Sequence, residues 1–276
     1  MKQDLYYYLV GSEIDKASET MISNLTKNGF KFNFNSIYEN PEYPEIRLFV
    51  SNKNSLWFDD LEDYCPNAKA FIFLSKHSSK EKFPALTCHF TGNFEKNFYG
   101  GKEKELGIAY PSLQKLYLAN LMKHKNLLSN FDIGMESTHH GPTSIKKPVI
   151  FIELGSDEQQ WTDQHAASII CNTILDTIIS LNRGKVVPCK KIAIGIGGNH
   201  YASKFNKILF DSGEFCFASI ISKYYLKSLD RNMIEQMIQK SVEKITYAIV
   251  DNKGLGPERS QILNLLNDSE LKILKI

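Results

Sequence analysis

The apolar run Pro148-Val-Ile-Phe-Ile-Glu-Leu, stopped at Gly155, constrains this chain more than any other stretch. A continuous run of this length reads as a strand buried on both faces, the pattern of a parallel sheet. A carboxylate, Glu153, stands near its end. A buried strand that ends in a carboxylate and runs into a helix is where open α/β sheets place their sites. Upstream lies the polar turn Glu136-Ser-Thr-His139-His140-Gly-Pro142, followed by Lys146 and Lys147. Downstream, Ser156 and Gln159 have capping-box spacing, with Asp157 and Glu158 favoured at a helix N-terminus. The helix they open is expected over 157–181, with Ala166, Ile170, Ile174 and Ile178 repeating along one face.

The rest of the chain alternates in the same way. Strands are expected at 5–10, 46–50, 70–74, 86–89, 192–196, 215–221 and 247–250. Helices are expected at 15–28, 111–128, 201–209, 232–244 and 258–267; Pro111 suits a first helical position and Gly29 a helix stop. This alternation predicts an α/β fold with a largely parallel, mixed central sheet sandwiched by helices. No repeat or linker divides it, so 1–276 reads as a single domain. The acidic run Asp59, Asp60, Glu62, Asp63 reads as solvated surface, and the polar, Gly-rich stretch 93–104 as a mobile loop.

Composition bounds the partners. A length of 276 residues allows an ample core, and a net charge of +2 neither demands nor excludes a nucleic-acid partner. No apolar run approaches the roughly 18 residues of a membrane span, so no membrane partner is expected. The N-terminal Met-Lys-Gln-Asp passes straight into a strand and does not read as a signal peptide, so a cytoplasmic location is expected. The five cysteines, Cys65, Cys88, Cys171, Cys189 and Cys216, are odd in number and include no Cys-x-x-Cys. They imply neither a disulfide framework nor a zinc knuckle, and Cys171 and Cys216 read as core.

Polar residues gather where the strands end. His77, His89, His139, His140 and His200 each follow a strand-like run, and in a parallel sheet such turns meet at one edge. Histidine is the commonest zinc ligand, and a catalytic zinc takes about three His or carboxylate ligands. Glu136, Glu153 and Asp157 could supply the carboxylates, giving a nucleophilic water for an ester or amide carbonyl. The same histidines could instead cap turns or hydrogen-bond a substrate. Gly195-Ile-Gly-Gly-Asn199-His200 lies between a strand and a helix. There Gly197 and Gly198 would let a substrate approach the backbone, and helix-start amides could steady an oxyanion. The turn is neither G-x-G-x-x-G nor a P-loop, and no serine sits in G-x-S-x-G, which argues against a dinucleotide site and a serine hydrolase. Lys146, Lys147, Arg183, Lys185, Lys190, Lys191, Lys204 and Lys207 lie near these turns in sequence. They read either as a phosphate-holding patch or as solvated helix ends.

Five segments in order resemble the archaeal and plant type of D-aminoacyl-tRNA deacylase: Ser75-Lys-His77, PALTCHFTGN at 84–93, ESTHHGP at 136–142, FIELGSDEQQW at 151–161 and GIGGNHYASKF at 195–205. The resemblance covers about 6–250. It implies a monomeric, zinc-dependent hydrolase that cleaves the ester between a D-amino acid and the terminal ribose of tRNA. It also implies a phosphorylase/hydrolase-like sandwich related in shape to peptidyl-tRNA hydrolase. On that basis His139, His140 and Glu136 form the core of the site. Glu153 is a metal ligand or the base that orients water. His89 and His200 flank the substrate or complete the metal shell, and His77 is a further candidate. The expected zinc ligands are His139, His140, His89 and Glu153. The expected substrate contacts are His77, His89, Gly197, Gly198, Asn199, Lys190 and Lys191. Other readings are a peptidyl-tRNA hydrolase or metallo-hydrolase on the same fold, and a tRNA-binding module without turnover. The second leaves Glu153, a carboxylate in a buried strand, without a task.

Overall fold

The computed structural model describes residues 5–184 and 189–276; Lys185 lies outside the described residues. The chain opens with β1 (Tyr6–Ser12) and α1 (Lys16–Lys27). Asp15 caps α1 by accepting the Ser18 amide, a bond worth about 1 kcal/mol to a helix start. Then come β2 (Lys31–Phe34), β3 (Ile37–Glu39), β4 (Ile46–Ser51), β5 (Ala68–Ser78), β6 (Ala85–Phe90), α2 (Pro111–Met122), β7 (Asp132–Met135) and β8 (Val149–Ser156). The second half holds α3 (Glu158–Trp161), α4 (Gln164–Asn182), β9 (Lys191–Ile196), α5 (Ser203–Asp211), β10 (Phe215–Ile221), α6 (Arg231–Gln239), β11 (Tyr247–Val250), α7 (Arg259–Asn267) and β12 (Lys272–Lys275).

Among the described residues two sheets form. One has eight strands in the order β2-β3-β4-β1-β5-β8-β6-β7, and the other has four in the order β10-β9-β11-β12. The centre of the large sheet, β4-β1-β5-β8, is parallel, whereas β6 runs antiparallel to β8. The smaller sheet is parallel throughout. The architecture is therefore mixed α/β. Side chains alternate across β1, β5 and β8. Tyr7, Leu9, Ile72, Leu74, Ile150 and Ile152 enter a large core shared with α1, α2, α4 and the smaller sheet. Tyr8, Val10, Phe71, Phe73, Val149 and Phe151 enter a small core on the opposite face.

Several sequence expectations are corrected by local chemistry. The helix expected at 157–181 is two helices. Asp157, rather than Ser156, caps α3 in a capping box with Gln160, and the Asp163 carboxylate accepts the His165 and Ala166 amides to start α4. The 232–244 helix stops at Gln239 and the 111–128 helix at Met122. The strands β2, β3 and β12 were not legible because most of their residues are exposed or only half-buried. The stretch 93–104 is anchored rather than loose: the Asn93 amide donates to Gly100 O and Lys102 O. The acidic run is not merely solvated. Asp59 accepts the Thr143 and Ser144 amides, and Glu62 accepts the Lys146 amide. Cys171 is core, as expected, but buried Cys216 is bonded to Cys189, at a Cα–Cα distance of 6.0 Å.

Candidate active site

The floor of the site follows from strand register. Glu153 stands opposite Ser75 on β5 and opposite Thr87 on β6. Residues two apart share a face, so His77, Glu153, Thr87 and His89 all project on the side of the small core. That core ends in Phe73 stacked on Phe151 at 4.6 Å, and Phe151 packs beneath His89 at 5.5 Å and against His140 at 4.7 Å. The apolar layer thus gives way to an ionisable one along a single sheet face. His77 therefore sits within a strand rather than in the turn after it, and His89 lies inside β6, which contains the strand expected at 86–89. Antiparallel β6 delivers His89 by register rather than by strand direction.

Residues 136–140 cross this face and stitch the sheets together. The Glu136 amide donates to Cys88 O, the Ser137 amide to His200 O and the Thr138 amide to Ile220 O. Ile220 returns its amide to Thr138 Oγ1 at 3.0 Å. His200 comes from the turn after β9, so the smaller sheet contributes to the cluster. His140 takes a left-handed φ of 45°. Beside it Gly141 donates to Tyr99 O at 3.0 Å, and a Cβ on Gly141 would lie 2.5 Å from Leu56 O. A Cβ on Gly100 would overlap the same carbonyl. Three loops meet there through bare backbone.

The polar contacts fall into two sets. In one, Nδ1 of His89, His139 and His140 lies 3.1, 2.8 and 2.7 Å from Phe90 O, Ser137 O and Gly141 O. A carbonyl only accepts, so each Nδ1 carries the proton and donates it. Nε2 is left as the lone-pair atom of a neutral ring in His139 and His140, whereas in His89 it meets Glu153 Oε1 at 3.4 Å. In the other, carboxylates hold the rings. His77 Nδ1 lies 2.9 Å from Glu136 Oε1 and 3.2 Å from Glu153 Oε2, and His200 Nε2 lies 2.8 Å from Glu136 Oε2. Thr87 donates to Glu153 Oε2 at 3.2 Å. His77 Nδ1 is out of line with Glu136 Oε1, so this buried oxygen has no hydrogen-bond partner among the described residues.

Burial and charge act against each other here. Burial favours neutral carboxyls, yet the surrounding imidazoles win and hold Glu136 and Glu153 below the usual carboxylate range. Burial also opposes a charge on His77, but Glu136 and Glu153 push its pKa up to about 11. Burial and the neighbouring histidines push His139 down; burial, against the pull of Glu153, keeps His140 down. His89 is raised because Glu153 outweighs its burial. The cluster opens into a cavity of about 540 Å³ whose rim includes Asp15, Leu56, Lys76 and Tyr99.

Residues 65–274 match the family described as D-aminoacyl-tRNA deacylase. The D-aminoacyl-tRNA deacylase of Pyrococcus horikoshii is 34% identical over 266 residues, covering 94% of this chain and 95% of that protein. Those of Pyrococcus furiosus (33% over 279 residues, 97% and 98% covered) and Cenarchaeum symbiosum (35% over 204 residues, 74% and 76% covered) are similar. The chain belongs to the D-aminoacyl-tRNA deacylase family. It is a hydrolase acting on an ester bond. A crystal structure described as a conserved protein of unknown function superposes with a TM-score of 0.88 at 26% identity, covering 99% of this chain and 96% of that one.

The residues fit a zinc ion on chemical grounds. Zinc-ligating histidines characteristically tie their second nitrogen to a carbonyl or carboxylate, as His89, His139 and His140 do. One potential ligand atom from each of these three lies within 4.8 Å of the others; the triad Glu136–His139–His200 shares His139 with them, and a third, His77–Glu136–Glu153, shares Glu136 with the second. Glu136 Oε1, 2.9 Å from His77 Nδ1 but without an aligned hydrogen bond among the described residues, is a further buried acceptor.

The cluster thus draws together the candidates His77, His89, Glu136, His139, His140, Glu153 and His200, whereas the candidate carboxylate Asp157 caps α3. Gly197 and Gly198 adopt left-handed φ of 94° and 82°, but their main chain is engaged: Gly197 N donates to Ile221 O, and Gly198 O accepts from Lys223 N. Asn199 accepts the Ser203 amide and caps the start of α5. Lys190 and Lys191 are not brought to the histidines. They mark the start of β9, with Lys191 paired to Glu214, while His200 follows the strand's other end. Sequence reasoning missed Thr87, Ser137 and Tyr201. Thr87 was findable as the residue two before His89, sharing its face. Tyr201, whose hydroxyl lies 3.5 Å from His77 Nε2, could be found only from three-dimensional packing.

Proposed function

We propose that this chain hydrolyses the ester joining a D-amino acid to the terminal ribose of tRNA, releasing both, with zinc as cofactor. The observation that carries the reading is the trio His89, His139 and His140, each with Nδ1 tied to a carbonyl and Nε2 between 3.4 and 3.9 Å from an ionised carboxylate. These three histidines, with Glu153, would hold the metal. A bound zinc would supply Lewis acidity and a water acidified to a pKa of about 7.

The chain's own residues do the rest. His77, charged between Glu136 and Glu153, keeps both carboxylates ionised and fixed. Glu136 is the base that takes the proton of the attacking water. His200, whose side chain is 39% exposed and whose Nε2 lies 2.8 Å from Glu136 Oε2, gives its proton to the leaving ribose oxygen and is reprotonated by Glu136. Ser137 Oγ, 3.4 Å from His200 Nδ1, orients that ring. General acid–base steps of this kind contribute about 10²–10⁴ in rate. We further propose a monomer in the cytoplasm, and a sandwich of the phosphorylase/hydrolase-like type akin to peptidyl-tRNA hydrolase.

Single-turnover deacylation of matched D- and L-tyrosyl-tRNA, with chelator and zinc add-back, tests this. The expected result is D-selective release that stops on chelation and returns with zinc. D-selective release indifferent to chelation would remove the metal and leave the histidines as acid–base groups. Binding of both tRNAs with no release from either would refute the deacylase reading.

A further inference from the structure

A second cavity, of about 510 Å³, adjoins the cluster through Thr87 and Tyr201, although none of the clustered histidines or glutamates lines it. Two of its walls touch the cluster directly. Thr87 donates to Glu153, and the Tyr201 hydroxyl lies 3.5 Å from His77 Nε2. Its apolar lining is Phe83, Ala85, Ile133 and Phe210. Its charged lining is Glu81 and Asp132, and among the described residues no lysine or arginine faces it. The cavity over the histidines also holds carboxylates, Asp15, Glu136 and Glu153, but it adds a cation, Lys76, together with the Ser78 hydroxyl and Tyr99, a residue 68% exposed.

An ester of an amino acid with a tRNA end presents two unlike halves to such a pair of cavities. One half is an ammonium with a side chain of variable size; the other is a base, a ribose and a phosphate. Two carboxylates without a cation repel phosphate and attract an ammonium. An exposed tyrosine ring offers a stacking face to a base, and a lysine beside hydroxyls suits a phosphate. Resting on the deacylase reading, we propose that the Phe83–Phe210 cavity receives the aminoacyl group, while the Lys76–Tyr99 cavity receives the terminal nucleotide. The scissile ester then spans the boundary formed by Tyr201, His77 and Glu153. Ala85, Phe83 and Ile133 become the residues that set which side chains are accepted. A cavity of this size accommodates the larger D-residues as well as the small ones.

The test compares D-tyrosyl-tRNA with D-alanyl-tRNA as substrates of the zinc-loaded full chain. Ala85→Leu narrows the cavity, and the ratio of kcat/KM for D-tyrosyl over D-alanyl is expected to fall by roughly tenfold or more, the scale of a hydrophobic pocket's discrimination. Phe83→Ala removes a ring that is 67% exposed, so the core is undisturbed should the leucine variant fold poorly. It should lower the same ratio, through KM for D-tyrosyl-tRNA. Tyr99→Ala should raise KM for both substrates alike. An equal loss for both substrates in Ala85→Leu and Phe83→Ala would place the nucleoside in this cavity and overturn the assignment. An unchanged ratio and unchanged rates would show that the substrate does not enter it. Failure of the wild-type chain to release either amino acid is a separate outcome, which sinks the deacylase reading and this inference with it.

Discussion

The two ends of β9 treat ionisable groups in opposite ways. At its start, Lys191 and Glu214 pair at 2.6 Å with both side chains in contact with water. Lys190 there borders a cavity of about 890 Å³, larger than either cavity beside the histidines. Beyond its finish, His200 meets Glu136, whose side chain is 1% exposed, and four more histidines complete the enclosure around two carboxylates. Exposed pairs contribute little and can be lost at little cost. Buried carboxylates persist only where partners compensate their desolvation. Cavity volume therefore points to the wrong end of the strand, and buried charge points to the right one.

Breaking the buried end should have the largest effects. Glu136→Gln removes the proposed base while keeping shape, and the single-turnover rate should fall by roughly a thousandfold, within the usual range of a general base. His139→Ala should cost a comparable factor and lower the zinc bound per chain, measured by metal analysis. Full zinc content in that variant would exclude His139 as a ligand. Thr87→Val leaves a similar volume but takes a donor from Glu153; losing such a supporting hydrogen bond costs about 10–100-fold in activity or metal affinity. Gly141→Ala forces a Cβ toward Leu56 O, and should lower stability by about 1–3 kcal/mol in urea melts while displacing His140.

The pH dependence of stability sharpens the contrast. In the metal-free chain the pKa of His77 is raised from 6.5 to about 11, so the folded state holds its proton more tightly than the unfolded state. The stability this supplies is complete below pH 6.5 and is lost as pH rises toward 11. Glu153, depressed, acts in reverse: its contribution is present above the ordinary carboxylate pKa and disappears as pH falls through its folded value. His77→Gln should flatten the alkaline slope of urea midpoints and shallow the acid limb without abolishing it, since His200, His140 and His89 still hold the two carboxylates down. At the exposed end of β9, Lys191→Glu should change stability by no more than about 0.5 kcal/mol and leave single-turnover rates at saturating tRNA unaltered. A large loss of rate would erase the distinction between the two ends.

What was legible in the sequence was what depends on local pattern. β8, β9 and β10 announce themselves as apolar runs, α1 carries its cap and stop, and Glu153 is a conspicuous charge within a buried strand. The cluster's composition was legible too, because histidine and glutamate are uncommon beside such runs. What escaped depends on pairing partners far away in the chain. Nothing near Ala85 says that β6 runs against β8, so the strand expected at 86–89 brings His89 to a shared edge by strand direction, where the structure does it by register. Nothing near Lys190 says that β9 carries it away from His200. The break between α3 and α4 was encoded in Asp163 as a cap, but the apolar repeat on both sides masked it.

The stitching of 136–140 between the sheets also sets a temporal order. Glu153 and His77 are placed by the larger sheet, whereas Ser137 and Thr138 bond to His200 and Ile220 of the smaller one. The cluster cannot exist until both sheets have formed and docked. During refolding from urea, recovery of catalysis should therefore trail recovery of backbone circular dichroism, making the enzyme its own reporter of the last assembly step.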